Sequence, residues 1–406
     1  MKGLKSFLLL FYTHCFFLEF VLLYPVYMLL FEEKGLSIPL ISLLMIIWSV
    51  PVFVLEFPSG VLADKWSRKQ LIVIGTLFKL AAYLLWLFAD GFVLFALGFV
   101  LWGVQIALCS GATEALLYDV LVQYGEQEQY EKIAGRARFY GGLGLALSIL
   151  LGGFAASFGF ALVTVLSMAS VGVAFAAALC FEQPEKAENQ SEGGFREYLS
   201  GFSQGLRACR QSKTVLALLL FGTLVAIAPG ILEEYDQLYA RQALEARRIL
   251  LPLGWVGIWG AVRTGFEALS ARFAYKVKQL FCSVRRLALL GLAGGLALTV
   301  SALFFSLWLL PLYLLFYALL SGAAVLAEGC LQRVVPSGQR ATVLSLASLA
   351  SNLYAILPYL AFSAVSEPLG LRAGFVFMGG YTVATALLFL AVKQGGLSRL
   401  TADETA

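Results

Sequence analysis

The chain has 406 residues, of which 60% are hydrophobic and only 13% are charged. Soluble domains carry about 25% charged residues, so this composition excludes an ordinary soluble protein and predicts a polytopic membrane protein. Six scattered cysteines and one histidine predict neither a disulfide framework nor a metal site, and the net charge of +4 does not indicate nucleic-acid binding.

Twelve apolar segments are long enough to cross about 30 Å of hydrocarbon. Short polar or Gly/Pro-containing turns separate them, for example at residues 32–35, 89–91 and 367–368. The segments are 6–31, 38–62, 71–89, 92–118, 134–158, 160–181, 214–238, 249–271, 286–307, 309–332, 342–365 and 370–392.

The basic residues set the expected orientation. If both termini are cytoplasmic, most of the 29 lysines and arginines fall on the cytoplasmic side or at its edge. This asymmetry predicts a multi-pass protein of the cell inner (plasma) membrane with an even number of spans.

The strongest break in composition divides the chain into two halves. We expect an N-terminal six-helix bundle at 1–181, a cytoplasmic linker at 182–213, a C-terminal six-helix bundle at 214–393 and a cytoplasmic tail at 394–406. Apolar residues at helical spacing predict a membrane-surface helix in the second part of the linker.

The halves repeat each other at an offset of 211 residues. Trp48 aligns with Trp259, Glu56 with Glu267, and the tripeptide at 110–112 with that at 321–323. Such repeats are typical of transporters. The predicted fold is therefore an all-α membrane protein with twelve transmembrane helices in two pseudo-symmetric bundles.

The loop after the second span has the sequence Gly60-Val-Leu-Ala-Asp64-Lys-Trp-Ser-Arg68-Lys69. It resembles the motif Gly-x-Leu-Ala-Asp-Arg-x-Gly-Arg-Lys/Arg of the major facilitator superfamily, bacterial type, although Lys65 replaces Arg and Ser67 replaces the second Gly. The corresponding loop of the second half is degraded. The resemblance covers nearly the whole chain, and it implies a secondary active transporter whose two bundles rock around a central cavity.

The motif also suggests a gate at the cytoplasmic edge. Gly60 lets two helices approach closely, while Asp64 and Arg68 belong to a charge network that opens and closes. Asp119, near the cytoplasmic end of the fourth span, is the predicted partner of Arg68. The alternative is that these are ordinary charges that set the topology.

Span five carries Gly141, Gly142, Gly144, Gly152 and Gly153. The pattern is similar to a Gly-rich element of drug/proton antiporters, but the usual Gly-Pro pair is missing. Tight helix packing is the preferred interpretation of these glycines.

Ionisable groups at mid-membrane cost at least about 2.5 kcal/mol, so each requires a partner or a role. Glu19 lies in the middle of span one with no basic residue nearby in sequence. It is the first candidate for a proton carrier, and a polar contact with substrate is the alternative. Glu56 and Glu114 are the further candidates.

Other intramembrane charges are predicted to pair. Glu114 and Arg138 lie at similar depth, and a structural pair competes with a proton-titrating role for Glu114. Arg263 and Glu267 are four residues apart on one helix, which favours mutual neutralisation. Lys79 is expected to snorkel to the cytoplasmic face.

The sequence therefore predicts a proton-coupled transporter that exports a small organic or amphiphilic molecule. Uptake of a nutrient or a siderophore-like metal chelate is the alternative. Protons are the expected coupling ion, no cofactor is expected, and the protein is expected to be a monomer with partners limited to its solute and the bilayer. Candidate cavity residues are Tyr24, Trp259, Glu328 and Asn352.

Two other classes are disfavoured. The chain has no nucleotide-binding Gly-x4-Gly-Lys-Ser/Thr loop, which argues against an ATP-driven pump. No convergent nucleophile, base or metal set indicates an enzyme. A transport-dead receptor would be expected to carry an added soluble domain, and the longest non-membrane segment is the linker at 182–213.

Overall fold

The computed structural model describes residues 2–65, 67–183, 212–245, 252–281, 283–304, 307–335 and 340–391. Throughout these ranges the chain is α-helical with short connections, and the described part contains no β-strand. The predicted surface helix in the linker and the predicted tail lie outside the described residues.

The first half contains eight α-helices. In chain order they are α1 Lys2–Glu19, α2 Tyr27–Glu33, α3 Ile38–Lys65, α4 Arg68–Leu87, α5 Phe92–Cys109, α6 Ala112–Gln123, α7 Tyr130–Ala156 and α8 Phe160–Leu179.

The described part of the second half adds seven more. They are α9 Lys213–Leu224, α10 Ala228–Glu245, α11 Pro252–Phe273, α12 Val284–Phe304, α13 Leu310–Val334, α14 Arg340–Leu369 and α15 Leu371–Ala391.

Three of the predicted spans are interrupted helices. The first span is α1 followed by α2, with residues 20–26 in turns. The fourth is α5 followed by α6, and Gly111 makes the bend with a positive φ of 71°. The seventh is α9 followed by α10. Counting each pair as one span, the fifteen described helices are consistent with the predicted twelve.

The turn between α1 and α2 follows from Pro25. Proline lacks an N–H and disfavours helical geometry at the preceding residue, so the helix does not run continuously through this point. Non-helical backbone at membrane depth requires partners inside the protein. Two serines of α8 provide them: Ser170 donates to the Phe17 carbonyl (2.8 Å), and the Leu23 N–H donates to Ser167 Oγ (3.1 Å).

Nine helical segments in the described residues are long and apolar enough to cross a membrane by length and composition. The other three predicted spans correspond to α1 with α2, to α11 and to α14. α1 carries Lys5 and Glu19, and α11 carries Arg263, Glu267 and Arg272. These charges lower the hydropathy of both helices, which explains why neither is among the nine apolar segments.

The chain divides into two compact units, Met1–Gly194 with Ala240–Ala261, and Phe195–Tyr239 with Val262–Ala406. Each has its own apolar core. In the first unit, a cluster on α1, α4 and α6 includes Phe7, Phe11, Leu71, Leu117 and Val120. In the second, a cluster on α9, α12 and α13 includes Val215, Phe221, Leu287, Ala323 and Leu326.

The glycines of α7 serve close helix packing, as the sequence interpretation preferred. A Cβ on Gly144 would overlap the carbonyl oxygen of Phe16, and one on Gly152 would overlap that of Leu22. The backbones of α7 and the first span therefore touch. Gly142 differs, because a Cβ there would meet nothing within 4 Å.

We expect Gly144→Ala and Gly152→Ala each to destabilise the protein by about 1–3 kcal/mol, because each forces two packed backbones apart. The matched control Gly142→Ala should be neutral or should stabilise by roughly 0.5–1 kcal/mol, the helix-propensity gain. Thermal unfolding in detergent measures this. Equal melting temperatures for Gly144→Ala and Gly142→Ala would contradict the packing assignment.

Candidate functional site

A buried ion cluster lies in the second unit, where α10, α11 and α13 meet. Glu233 and Asp236 are three residues apart and share one face of α10. Arg263 projects from the middle of α11, one helical turn before Glu267 on the same helix. Each carboxylate therefore reaches the guanidinium group without distorting its own helix.

Each of the three nitrogens of the Arg263 guanidinium donates to a different carboxylate. Nε donates to Asp236 (2.9 Å), Nη2 to Glu233 (2.8 Å) and Nη1 to Glu267 (2.5 Å). The side chains of Arg263 and Asp236 are 5% and 4% exposed, whereas Glu233 is about half exposed. The cluster therefore reaches from the interior of the unit to its surface.

Two tyrosines of α13 complete the cluster. Tyr313 donates its hydroxyl to Asp236 (2.5 Å), and the Tyr313 and Tyr317 hydroxyls are 3.2 Å apart. The Arg263 guanidinium lies 4.9 Å from the centre of the Tyr317 ring, a cation–π distance. Asp236 thus accepts hydrogen bonds from both Arg263 and Tyr313.

The sequence predicted only part of this arrangement. The structure brings Arg263 and Glu267 together, as their spacing indicates. The sequence interpretation limited the cluster to these two residues, whereas Arg263 also pairs with two carboxylates of α10. The sequence analysis does not identify Asp236 and Glu233, which lie towards the end of the predicted span 214–238. The signal was present in Glu233-Glu234-Tyr235-Asp236, three carboxylates in one turn of a membrane-spanning segment.

Lys79 in the first unit corrects another prediction. It does not snorkel to an aqueous face: the residue is 2% exposed. Its ammonium donates to the Leu18 carbonyl and to the Tyr24 hydroxyl, both at 2.8 Å. It also lies 5.4 Å and 5.9 Å from the ring centres of Tyr24 and Trp102. The interrupted first span attracts Lys79, because the end of α1 exposes carbonyls and the negative end of the helix dipole.

Glu19, the last residue of α1, lies within electrostatic range of Lys79. No basic residue lies near Glu19 along the chain, because Lys79 comes from α4, 60 residues later. The Glu19 side chain is partly buried and packs near Gly141 of α7. The charges of Lys79 and Glu19 therefore cancel, whereas the cluster around Arg263 has three carboxylates for one guanidinium.

Arg68 and Asp119 form an ion pair, so the structure brings together the two residues that the sequence paired. Arg68 also donates to the Ala115 carbonyl (2.9 Å), which ties the start of α4 to α6. Gly60 and Asp64, like Glu56, lie in the last part of α3, where the side chains are outside the described residues. The gate role of the motif stays a prediction.

Glu114 and Arg138 also form the expected pair, with 2.9 Å between Oε1 and Nη2. Both side chains are more than half exposed in the unit. The geometry fits the structural alternative, and the proton-carrying role of Glu114 stays a prediction.

The four predicted cavity residues lie in different surroundings. Tyr24 accepts a hydrogen bond from Lys79 in the first unit. Trp259 is 9% exposed on α11. Glu328 lines a cavity in the second unit. Asn352 is exposed, and the cavity is lined instead by its neighbour Ser351.

Comparison with known families decides the class of the protein. Residues 9–279 match the sequence model of the Major Facilitator Superfamily. The chain belongs to this superfamily. The family resemblance seen in the loop at residues 60–69 is thereby confirmed, as is the prediction of a transporter rather than an enzyme.

Solved structures confirm the fold. The nucleoside transporter NupG is similar with a TM-score of 0.75 and 15% identity, covering 96% of this chain and 99% of that one. A bacterial homologue of the human lysosomal transporter Spinster gives 0.69 and 17%, covering 96% and 94%. The D-xylose-proton symporter gives 0.64 and 14%, covering 96% and 98%. None of the curated proteins matches the chain in sequence.

Lys79→Met should destabilise the protein, because it removes a buried donor and leaves the Leu18 carbonyl and the Tyr24 hydroxyl without it. We expect a loss of about 1–3 kcal/mol. Adding Glu19→Gln should recover part of the loss, since it removes the carboxylate that Lys79 neutralises. Thermal unfolding of the single and double variants measures both effects.

Lys132→Met on α7 is the matched control, because Lys132 is exposed and its loss should leave stability within about 0.5 kcal/mol. A melting temperature for Lys79→Met equal to that of the control would contradict the assigned role.

Proposed function

We propose that this superfamily member is a proton-coupled secondary active transporter of a small organic molecule, working by alternating access, with export as the leading direction. The observation that supports the coupling ion is the charge balance around Arg263. One guanidinium faces three carboxylates in a segment that crosses the membrane, and the excess is negative.

Ionising all three carboxylates together is unfavourable. Like charges a few ångströms apart repel strongly where the effective dielectric constant is low, and such groups share protons rather than ionising independently. Glu234, beside Glu233 on α10, is also within electrostatic range of Arg263. The cluster is therefore suited to take up a proton and release it when its surroundings become hydrated or rearranged.

The hydrogen bonds support an assignment of the exchangeable proton. Asp236 is buried and accepts hydrogen bonds from both Arg263 and Tyr313, so its role in the proposal is to anchor the arginine. Glu233 and Glu267 each accept one guanidinium bond and are more exposed. We assign the exchangeable proton to Glu233 or Glu267.

This assignment changes the order of the predicted proton carriers. Glu19 faces Lys79, and the two balance each other, so a single proton on Glu19 would leave an uncompensated buried ammonium. Glu114 pairs with Arg138 in an accessible place. Neither site has the negative excess of the Arg263 cluster.

Uptake of a nutrient or metal chelate is the alternative direction. The similar structures include a nucleoside transporter and a D-xylose-proton symporter, whose names describe those proteins. Because likeness at 14–15% identity shows the fold alone, transport measured in both orientations must decide the direction. A thermal-shift panel of uridine, D-xylose, a dipeptide and tetraphenylphosphonium gives a first solute, since a ligand that binds the folded state raises its stability.

The coupling prediction is that Glu233→Gln/Glu267→Gln abolishes gradient-driven transport but retains exchange of solute. With a pH difference of one unit, one coupled proton supplies about 1.4 kcal/mol, enough for roughly tenfold accumulation. The double variant should equilibrate without accumulating. The measurement is solute accumulation in proteoliposomes, using the panel's strongest ligand, with and without the pH difference.

Glu128→Gln is the matched control: it removes an exposed carboxylate from the connection between α6 and α7, and it should accumulate solute like the wild type. Glu19→Gln separates the two assignments. Loss of accumulation in Glu19→Gln with full accumulation in the Glu233/Glu267 double variant would overturn the cluster as the coupling site. Dependence on sodium rather than pH would replace the proton as the coupling ion.

A further inference from the structure

The connection between α11 and α12 in the second unit concentrates positive charge. Between Glu267 and Glu328 the chain has five basic residues and no acidic residue. All five are exposed and lie within residues 272–286, namely Arg272, Lys276, Lys278, Arg285 and Arg286. Because both flanking helices are predicted membrane spans, these charges lie at a membrane edge, on the predicted cytoplasmic side. We call residues 272–286 the basic connection.

The basic connection is tied to the core of the second unit. Residues 274–277 form a turn of 3-10 helix, in which Ala274 is buried in the apolar core. Phe281 packs against the same core. Arg286 donates from Nη1 to the Leu280 carbonyl (2.8 Å), which closes the connection onto the start of α12. The exposed side chains therefore project from an ordered backbone.

Exposed apolar side chains alternate with these charges. Tyr275 is 62% exposed and Leu280 is 59% exposed, and Phe273 and Val277 are exposed as well. The Lys276 ammonium lies 4.6 Å from the centre of the Phe273 ring, a cation–π distance. At a membrane interface, apolar side chains enter the acyl boundary while lysine and arginine remain among the headgroups. This mixture of residues is typical of a surface that lies in the interface.

The internal repeat indicates that the basic connection is not a second gate. At the offset of 211 residues, Asp64 aligns with Tyr275 and Arg68 aligns with Gln279. The two residues on which the gate prediction rests in the first half are therefore absent here, although the positive charge is present. Setting the topology requires only the charges. Neither role accounts for the exposed apolar side chains.

The charges of the basic connection suit an anionic partner. Within the described ranges, neither Arg272 nor Lys276 forms an ion pair with a carboxylate. An acidic protein segment or a free phosphate compound would match these charges, but would leave Tyr275 and Leu280 exposed to water. An anionic phospholipid matches both features, because its headgroup carries the phosphate and its acyl chains cover apolar side chains.

We propose that the basic connection binds anionic phospholipid of the surrounding bilayer. Arg272 and Lys276 contact the headgroup phosphate, and Tyr275 and Leu280 lie against the acyl chains. α11 ends at this surface and also carries Arg263, so the bound lipid anchors the end of the helix that holds the ion cluster. The lipid site goes beyond the proposed transport function and depends on neither the solute nor the coupling ion.

The test compares two lipids that share acyl chains and differ in headgroup charge. Native mass spectrometry of the purified full chain in detergent measures binding of palmitoyl-oleoyl phosphatidylglycerol and of the corresponding phosphatidylcholine. We expect the wild type to bind phosphatidylglycerol more tightly. Each basic residue near a membrane surface contributes about fivefold to binding, so Arg272→Gln/Lys276→Gln should lower the phosphatidylglycerol association constant by roughly 5–25-fold. Binding of phosphatidylcholine should not change.

Two variants control for net charge and for folding. Lys132→Gln/Lys213→Gln removes the same charge from exposed positions on α7 and α9, and it should bind phosphatidylglycerol like the wild type. Arg272→Lys/Lys276→Arg keeps the charge and should keep the preference for phosphatidylglycerol. A loss shared by the charge-removing variant at 272 and 276 and its control at 132 and 213 would show a response to net charge alone, and would overturn the proposal.

A third variant tests the apolar part of the surface. Tyr275→Ser/Leu280→Ser keeps every charge and should weaken phosphatidylglycerol binding at least about threefold, because less apolar area is covered. Equal binding of the two lipids by the wild type would overturn the proposal. Displacement of phosphatidylglycerol by an equal concentration of glycerol phosphate would show a site for a free phosphate compound, which also contradicts it. Failure of proton coupling would leave all of these results unchanged.

Discussion

The burial of the Arg263 guanidinium in a membrane-crossing helix is the constraint on which the second unit depends. A cation at this depth is costly unless every donor is satisfied, because lipid offers no hydrogen-bond partner. The protein solves this with carboxylates from two helices and an aromatic ring from a third. The solution fixes how α10, α11 and α13 pack, and it leaves more negative than positive charge. That excess is the basis on which we propose the cluster as the site of proton coupling.

The first unit buries a cation in a different way, and the contrast supports the proposed site of proton coupling. Lys79 is held by the end of an interrupted helix, a tyrosine hydroxyl, two aromatic rings and one carboxylate within range. Most of these partners are neutral, so no surplus charge remains to be titrated. The first unit thus uses a buried cation to stabilise an irregular backbone, whereas the second uses one to hold several carboxylates together. Interrupted helices recur in both units, at residues 20–26 and 225–227.

Much of the fold was predictable from the sequence, because hydrophobic length and the placement of basic residues follow directly from the bilayer. The pairs Arg263–Glu267 and Arg68–Asp119 were predictable for local reasons, namely spacing along one helix and shared depth. Asp236 and Glu233 were not, since their partner comes from a different helix and hydropathy places them at a span boundary. The prediction that Lys79 snorkels was wrong, because the end of α1 offers its ammonium group a hydrogen-bond acceptor inside the protein. The interruption next to Pro25 creates a buried acceptor that hydropathy does not reveal.

In our proposal the Arg263 cluster holds an exchangeable proton in the absence of substrate. Infrared titration of the detergent-solubilised protein tests it directly, because a protonated carboxylic acid has a carbonyl stretch distinct from that of a carboxylate. We expect a buried carboxylic acid band in the wild type that disappears as the pH is raised. This band should be absent from Glu233→Gln/Glu267→Gln but present in Glu19→Gln. A band that survives in the double variant and disappears in Glu19→Gln would show that the proton lies outside the Arg263 cluster.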